Sequence, residues 1–329
     1  MILEAPSNNW KDYELIDSGN FEKLERFGSF VLARPEPKAL WDRKLSEGEW
    51  RKMAHTRFTP GAGFGKAGKE DSGTWNILKP MPENWNISYQ GGPVSPSLHF
   101  NLRLGLTSFK HVGVFPEQSP NWDFIYSQIS RLRGMGTLDG EDTLAAGGDA
   151  FASLPPVTRV NRRPKVLNLF AYTGAASVAA CAAGADVTHL DSVRQVVTWA
   201  HGNMEKSGLD GIRWIVEDAL KFVRREARRG NLYDGIMLDP PAYGHGPDGE
   251  RWKLDECLND LLKECARILS PMDSFLVLNL YSNGYSAMLA DTLTGCAFGS
   301  SGRRVSGELL LKDRFGRMLP LSVFTRLVR

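Results

Sequence analysis

The sequence predicts an α/β protein: an open, mostly parallel sheet that ends in an antiparallel hairpin and is preceded by a small β-rich unit. From Lys165 onward, short apolar runs alternate with helix-length amphipathic segments, the pattern of βαβ units around a parallel sheet. At the end of the chain, strand-like runs at 303–312 and 318–328 flank Asp313-Arg314-Phe315-Gly316, so a hairpin is added to that sheet. Residues 1 to about 95, by contrast, are rich in Trp, Gly and Pro and carry only short apolar alternations between turn residues.

Within the first region, Phe30-Val31-Leu32 and Trp85-Asn86-Ile87-Ser88-Tyr89 read as strands, and 57–69, which mixes Gly with Arg and Lys, reads as a mobile basic surface loop. Residues 98–106 alternate apolar and polar and predict a half-buried strand, paired with Val112-Gly113-Val114-Phe115. Ser119-Pro120 opens a helix with Trp122, Ile125, Ile129 and Leu132 on one face. Gly, Ala and acidic residues dominate 134–153, and two prolines follow. The expected division is therefore a β-rich N-terminal domain (1–97), a strand-strand-helix extension packed on the next domain (98–137), a linker or flexible insertion (138–164) and the α/β domain (165–329). In the last, strands are expected at 166–170, 187–191, 213–216, 235–239 and 275–281, which with the hairpin makes a seven-stranded, Rossmann-like sheet. The helix after Asp191 has Ser192 as its cap, Val193, Val196, Val197 and Ala200 on one face and Gly208 as terminator.

With 329 residues, 42% hydrophobic and 24% charged, the chain is in the globular range and long enough for one large domain plus a smaller one. The start, MILEAPSNNWKDYE, lacks a basic stretch followed by an apolar run, and the longest small-apolar stretch, 175–185, is about half a membrane span. A cytoplasmic protein with no membrane partner is expected. Four cysteines without C-x-x-C spacing and six scattered histidines indicate neither a disulfide framework nor a zinc site, and no metal is expected.

A cofactor is expected where the first strand of the α/β domain ends. Phe170, Ala171, Tyr172, Thr173 and Gly174 form a tight turn between strand and helix, where backbone approaches closely and helix N-terminal amides are free. The spacing is not G-x-G-x-x-G, which counts against NAD or FAD. S-adenosylmethionine has no phosphate and tolerates the bulkier turn. Asp191, followed by Ser192, ends the second strand, where its carboxylate either accepts both ribose hydroxyls or caps the next helix. Asp218, followed by Ala219, ends the third, placed either against the adenine amino group or as a helix cap. These positions share one edge of the sheet.

Asp239-Pro240-Pro241-Ala242-Tyr243 follows the fourth strand, and its prolines stiffen the loop and remove amide donors. Methyl transfer from a sulfonium needs proximity, orientation and the handling of one proton. Asp239 suits the proton, Pro240 leaves a carbonyl toward the pocket, and Tyr243 suits a planar acceptor. Residues 244–250, rich in Gly, read as a mobile loop over the site. Asn279, on the fifth strand, sits on the same edge or simply satisfies buried backbone.

These residues resemble the class I methyltransferases related to the bacterial large-subunit ribosomal RNA enzymes that make 5-methylcytosine and 7-methylguanosine. The similarity covers roughly residues 100–282, in N-L-F-x-Y-T-G, the Asp191 strand end and D-P-P-x-aromatic. It implies S-adenosylmethionine as cofactor and RNA, ribosomal RNA or a ribosomal subunit, as partner. Gly113-Val114-Phe115-Pro116-Glu117-Gln118 resembles the G-x-aromatic-x-acid-Gln stretch that lies near the cofactor in that group, which implies cofactor contacts for Phe115, Glu117 and Gln118. The basic residue that usually follows is Ser119 here. The fifth-strand stretch Leu278-Asn279-Leu280-Tyr281-Ser282 lacks the cysteine that cytosine C5 methylation requires, while a ring nitrogen, exocyclic amine or oxygen brings its own lone pair.

Two segments are basic. Lys221, Arg224, Arg225, Arg228 and Arg229 share one face of a helix, either to meet phosphates or as a solvated face. The terminal hairpin carries seven basic residues against two acidic ones, Glu308 and Asp313. Three functions fit: a methyltransferase acting on a base nitrogen of RNA, one acting on a protein or small molecule, or a non-catalytic module of the same fold. A closed hydrophobic cup from the front domain would favour a small acceptor, and an open basic groove RNA.

Overall fold

The computed structural model describes residues 1–63, 71–134, 163–281 and 284–329. The chain starts with β1 (Ile2–Glu4) and continues into β2 (Tyr13–Gly19), β3 (Glu22–Phe27), β4 (Phe30–Pro35), α1 (Glu47–Met53), β5 (Thr56–Pro60) and β6 (Gly73–Ile77). β2 to β6 form one five-stranded sheet in sequence order. α1 opens with a capping box, in which the Ser46 hydroxyl accepts from the Glu49 amide and the Glu49 carboxylate from the Ser46 amide, so two free helix-end donors are satisfied. Trp50 of α1 is buried over Ile16, Leu24, Val31 and Ala33 of this sheet.

β7 (Asn84–Gln90) and β8 (His99–Gly105) form an antiparallel hairpin, followed by the 3-10 turn Pro116–Gln118 and α2 (Ser119–Leu132). The partner expected for β8 was 112–115, and this is corrected: β8 pairs with β7, whose alternation matches its own, whereas Gly113 at φ 102 turns the backbone out of the extended region. The hairpin also straddles residue 97, where the sequence suggested a boundary. The other edge of β8 docks on the α/β domain, since the amides of Asn101 and Arg103 donate to Ser207 and Asn203. Of the expected basic loop 57–69, the first residues lie in β5, with Arg57 paired to Glu22 and Glu47. Its distal part and most of the expected linker (135–162) lie outside the described residues.

The α/β domain runs β9 (Lys165–Leu169), α3 (Ala175–Ala182), β10 (Asp186–Asp191), α4 (Arg194–Lys206), β11 (Arg213–Val216), α5 (Ala219–Arg229), β12 (Gly235–Leu238), β13 (Tyr243–His245), β14 (Arg251–Lys253), α6 (Leu254–Ile268), β15 (Phe275–Leu280), α7 (Ala287–Phe298), β16 (Arg303–Lys312) and β17 (Met318–Val328). Its sheet has the order β1-β16-β17-β15-β12-β9-β10-β11. β9, β10, β11, β12 and β15 are parallel, and β17 runs antiparallel between β15 and β16. The seven expected strands are present and an eighth is added, because β1 pairs in parallel with the outer edge of β16. Central strands such as β12 and β15 are buried along their whole length, as expected where helices cover both faces. Two further expectations are corrected. Val193, not Ser192, is the N-cap of α4, because Asp191 takes the Val193 amide. The loop expected at 244–250 is corrected only at its start: 244 and 245 lie in β13, and 246–250 form the turn between β13 and β14.

One core, containing Trp10, Tyr89, Phe100 and Trp122, runs from the N-terminal half onto one face of the large sheet through Val166, Val178 and Val277. α5, α6 and α7 bury the other face against Leu167, Ile236 and Leu278. The N-terminal half thus shares its core with the sheet.

Candidate active site

β9 has β10 on one side and β12 on the other, so the chain reverses its direction of travel across the sheet between β9 and β12. Such a switch point opens a crevice at the carboxyl ends of the strands. The turn after β9 fills it. Phe170 (φ 56), Tyr172 (φ 50) and Gly174 (φ 85) all take left-handed backbone, which for the two aromatic residues costs roughly 1–3 kcal/mol each and needs support. Support comes from three sides: Asp191 Oδ2 accepts the Tyr172 amide (2.9 Å), Thr173 Oγ1 donates to Gly113 O (2.6 Å) and Asn203 Nδ2 donates to Thr173 O (2.8 Å). A Cβ at Gly174 would lie 2.8 Å from that of Ala200, so only glycine fits.

An open cavity of about 570 Å³, counted with the solvent at its mouth, adjoins the turn. Residues 170–176 and Asn168, Met237, Leu238, Val277 and Asn279 form the sheet side. Val114, Phe115, Gln118, Asn121, Trp122 and Ile125 form the opposite wall. That second wall hangs on a polar chain: Asn121 Nδ2 donates to Gln118 Oε1 (2.9 Å), Asn121 Oδ1 accepts from Arg326 Nε (2.9 Å), and Arg326 grips both carboxylate oxygens of Glu4 (2.9 and 2.6 Å). On the sheet side, Asn168 donates to Ser177 Oγ (2.8 Å), which meets His189 Nδ1 (3.0 Å); burial holds His189 neutral, its pKa pushed down to about 3.

Asp239 ends β12 at the cavity. Burial pushes its carboxyl up to about 7, the Asn279 amide opposes the rise by donating to Oδ1 (2.7 Å), and the nearby Glu117 adds to it. The remaining oxygen of Asn279, Oδ1, is buried with no partner among the described residues, an acceptor facing a cavity where a ligand amino group would satisfy it. The diproline loop is anchored, since Trp252 Nε1 donates to Pro241 O (2.7 Å) and its ring packs on Phe170 at 4.8 Å.

Val114 and Phe115 also border a second cavity, of about 750 Å³, built largely by the N-terminal half with Tyr281 and Glu117. The Phe115 ring lies 4.9 Å from His111, 5.5 Å from Tyr172 and 6.0 Å from Tyr281, nearly parallel to the last. The cations here are engaged: Arg34 with Glu25 (2.6 Å), Lys23 with Glu25 and Glu36, Lys110 with Asp71 (2.8 Å). Burial raises the Glu117 carboxyl. The result is a cavity with paired charges in its wall, neither a closed apolar cup nor an open basic groove.

Of the residues singled out from sequence, Phe115, Gln118, Phe170, Ala171, Tyr172, Thr173, Gly174 and Asp239 line the first cavity together, and Glu117 lines the second. Asp191, Ser192, Asp218 and Ala219 are not among the lining residues. Asp191 shapes the turn through Tyr172 and the start of α4 through Val193, while Asp218 caps α5 by accepting the Lys221 amide (2.8 Å). Pro240 is buried and does not line the cavity, and Tyr243 stands on β13 outside it, its hydroxyl 3.2 Å from His245 Nε2. The sequence named Asn168 only as the first residue of N-L-F-x-Y-T-G, did not single out Asn121, Met237 or Val277, and assigned Trp122 and Ile125 to a packed helix face. That face was the available signal, since the cavity lies against it. No cysteine lines the first cavity among the described residues: Cys181 lies in α3, Cys257 and Cys265 in α6, Cys296 in α7.

Comparisons with known proteins bear on the fold and the family. A family described as "Conserved hypothetical protein 95" matches residues 149–266. The ribosomal RNA large subunit methyltransferase K/L of Shewanella frigidimarina is 33% identical over 118 residues, which are 35% of this chain and 16% of that protein. The matched part of the chain thus spans about one-sixth of that curated relative. Among solved structures, a putative methyltransferase from Streptococcus mutans is 16% identical with a TM-score of 0.63, over 96% of this chain and 75% of that one, and so shares the fold. A SAM-dependent methyltransferase from Agrobacterium tumefaciens is 35% identical with a TM-score of 0.81, covering 100% of this chain and 93% of that one. Similarity of that depth along both chains settles the family: this chain belongs to the S-adenosylmethionine-dependent methyltransferases, and S-adenosylmethionine is its cofactor.

Proposed function

We propose that this methyltransferase acts on RNA, ribosomal RNA in the first instance, and methylates a base nitrogen without a covalent bond to the enzyme. The observation that carries the reading is Asp239, a carboxyl poised near neutrality at the end of β12, held by Asn279 and followed by a rigid diproline. The bound cofactor supplies an activated methyl group on its sulfonium. The turn at 170–174 and the wall of Phe115 and Gln118 hold the donor, and Asp191 holds the turn in shape through the Tyr172 amide. A planar base enters beside Phe115 and Tyr281. Asp239 accepts the proton of the nitrogen as it is methylated, a task for which a pKa near the working pH is best suited. Pro240 and Pro241 keep the loop from yielding, so the acceptor atom stays in line. The curated relatives named as ribosomal RNA methyltransferases and the absence of a cysteine among the cavity residues support a nitrogen acceptor in RNA.

The test compares nucleosides in RNA from strains with and without the gene by mass spectrometry, and repeats the reaction with purified protein and the unmodified RNA. Loss of one N-methylated nucleoside, restored in vitro, supports the reading. Unchanged nucleosides alongside intact cofactor binding would move the acceptor to a protein or small molecule.

A further inference from the structure

The basic face of α5 is not uniform once its partners are known. Lys221 is held by Asp248 (2.9 Å) and Glu250 (3.0 Å), Arg225 by Glu217, and Arg229 by Glu226 (3.3 Å). Arg224 and Arg228, one helical turn apart and exposed, make no hydrogen bond or ion pair among the described residues. The Arg251 guanidinium, exposed on β14, makes none either, although its charge is felt by Glu256. These three guanidinium groups, two from a helix and one from a hairpin, line a single groove of about 700 Å³ together with Lys221 and Trp252. Asp218 and Glu250 also line it, but both are already engaged, Asp218 as the cap of α5 and Glu250 with Lys221.

The groove adjoins the chemistry. Trp252 forms part of its wall while holding Pro241 O through Nε1 and packing on Phe170, which lines the donor cavity with Asp239. In the β13–β14 hairpin Arg251 pairs opposite His245, next to the Tyr243–His245 contact that follows the diproline. By contrast, much of the other basic segment is spent internally: Arg326 on Glu4, Arg317 on Asp17 and Asp313, Arg314 on Glu14, Arg304 on Asp291. Two like charges a turn apart destabilise a helix. Three unpaired arginines converging on one concave surface therefore bring no return to the fold itself, and a ligand with several phosphates would supply it.

We propose that this groove binds the phosphodiester backbone of the RNA acceptor, on the flank of the nucleotide whose base is presented to Asp239. The inference rests on the RNA reading above. Free guanidinium forks meet phosphate oxygens in bidentate fashion without first breaking an ion pair, and each phosphate neutralised releases counterions. Contacts of this kind carry affinity and register rather than sequence.

The experiment titrates the full-length protein, saturated with S-adenosylhomocysteine, against a fluorescent single-stranded RNA of mixed sequence from about 50 to 200 mM salt. For R224A/R228A/R251A the expected result is RNA affinity at least tenfold weaker at the low-salt end. The slope of log affinity against log salt should be shallower by about 2, roughly 0.7 for each lost contact on a single strand. Cofactor affinity by calorimetry should be unchanged, and R224K/R228K/R251K should keep most of the slope. Should the triple alanine variant lose cofactor binding, R228A and R251A alone are measured, each expected to lower the slope by about 0.7. Wild-type affinity and slope in the alanine variants overturn the groove and leave the RNA reading standing. A wild-type protein that binds cofactor yet neither binds nor methylates RNA overturns both.

Discussion

On one side of the donor cavity stand β9, β12, β15 and the turn at 170–174; on the other stand Phe115, Gln118, Asn121 and Trp122, supplied by the N-terminal half. The sheet side is assembled from strand ends that neighbour one another through backbone ladders, and its shape is set by short segments with strong local rules: a glycine-ended turn, a diproline, fully buried strands. The facing side is a short 3-10 turn and one helix, whose polar groups are positioned through Arg326 from β17 and Glu4 from β1. In the proposed mechanism one side contains the group that takes the proton, Asp239, and the other closes the cavity around the donor. Disturbing the first should therefore change the rate, and disturbing the second should change donor affinity and stability.

The largest effect is expected at Asp239. Asp239→Asn should lower kcat by about 10²- to 10⁴-fold while S-adenosylmethionine affinity stays within a few fold. Because the carboxyl sits near 7 and acts as a base when ionised, the wild-type rate should rise tenfold per pH unit below about 7 and level off above it, and the variant should lose that limb. The sign for stability is opposite. A raised folded-state pKa gives a contribution that is full below the unfolded value and lost as pH rises through about 7, so the variant should melt higher than wild type at pH 8 and not at pH 4. An unchanged pH–rate profile in the variant would remove Asp239 from proton transfer.

The same contrast explains what was legible in the sequence. Asp239, Gly174 and the strand ends were readable because their neighbours along the chain define them. The facing wall was not, because its geometry depends on contacts between Asn121 and Arg326, 205 residues apart, and between Arg326 and Glu4, 322 apart. No local pattern announces such pairs. The same reason hid β1, three residues with no periodicity of their own that add to β16. It also let Arg326 be counted with the basic residues of the terminal hairpin, although it is 4% exposed and tied to Glu4. The pairing of β8 was misread because an alternating strand fits any alternating partner, and nothing in the short 112–115 run announces that Gly113 bends away. Asp218 and Asp191 show the converse limit: strand-end position predicts that a carboxylate is used, and here both serve backbone amides.

An intermediate effect is expected at Arg326. Arg326→Met removes the donor to Asn121 and leaves Glu4 unpaired. Breaking a fully buried pair costs about 3–5 kcal/mol; because the Glu4 side chain is 25% exposed and regains some water, about 1–3 kcal/mol is expected here. Freed of its anchor, Asn121 should hold Gln118 less well, and S-adenosylmethionine affinity by calorimetry should fall several fold with kcat at saturation nearly unchanged. Equal losses in kcat would mean that the two sides do not divide their work in this way.

The smallest effect is expected at Glu4 itself, and it tests whether the tie to β1 acts by charge or by geometry. Glu4→Gln keeps an oxygen that accepts one Arg326 N–H, loses the second, charge-assisted bond, and leaves Arg326 buried against Asn121 and the rings of Phe124 and Phe324 at 4.8 and 4.3 Å. Those contacts still orient the guanidinium, so Asn121 and Gln118 should stay in place. The loss should be about 1–2 kcal/mol, because Arg326 is 4% exposed and keeps its charge without a carboxylate against it, while one hydrogen bond and the packing remain. Donor affinity should match wild type, and salt should narrow the difference in melting temperature, because only the charge term has been removed. A drop in donor affinity as large as that of Arg326→Met would show instead that β1 is needed to position the far wall, and that the first residues of the chain belong to the cofactor site as much as the strands of the sheet do.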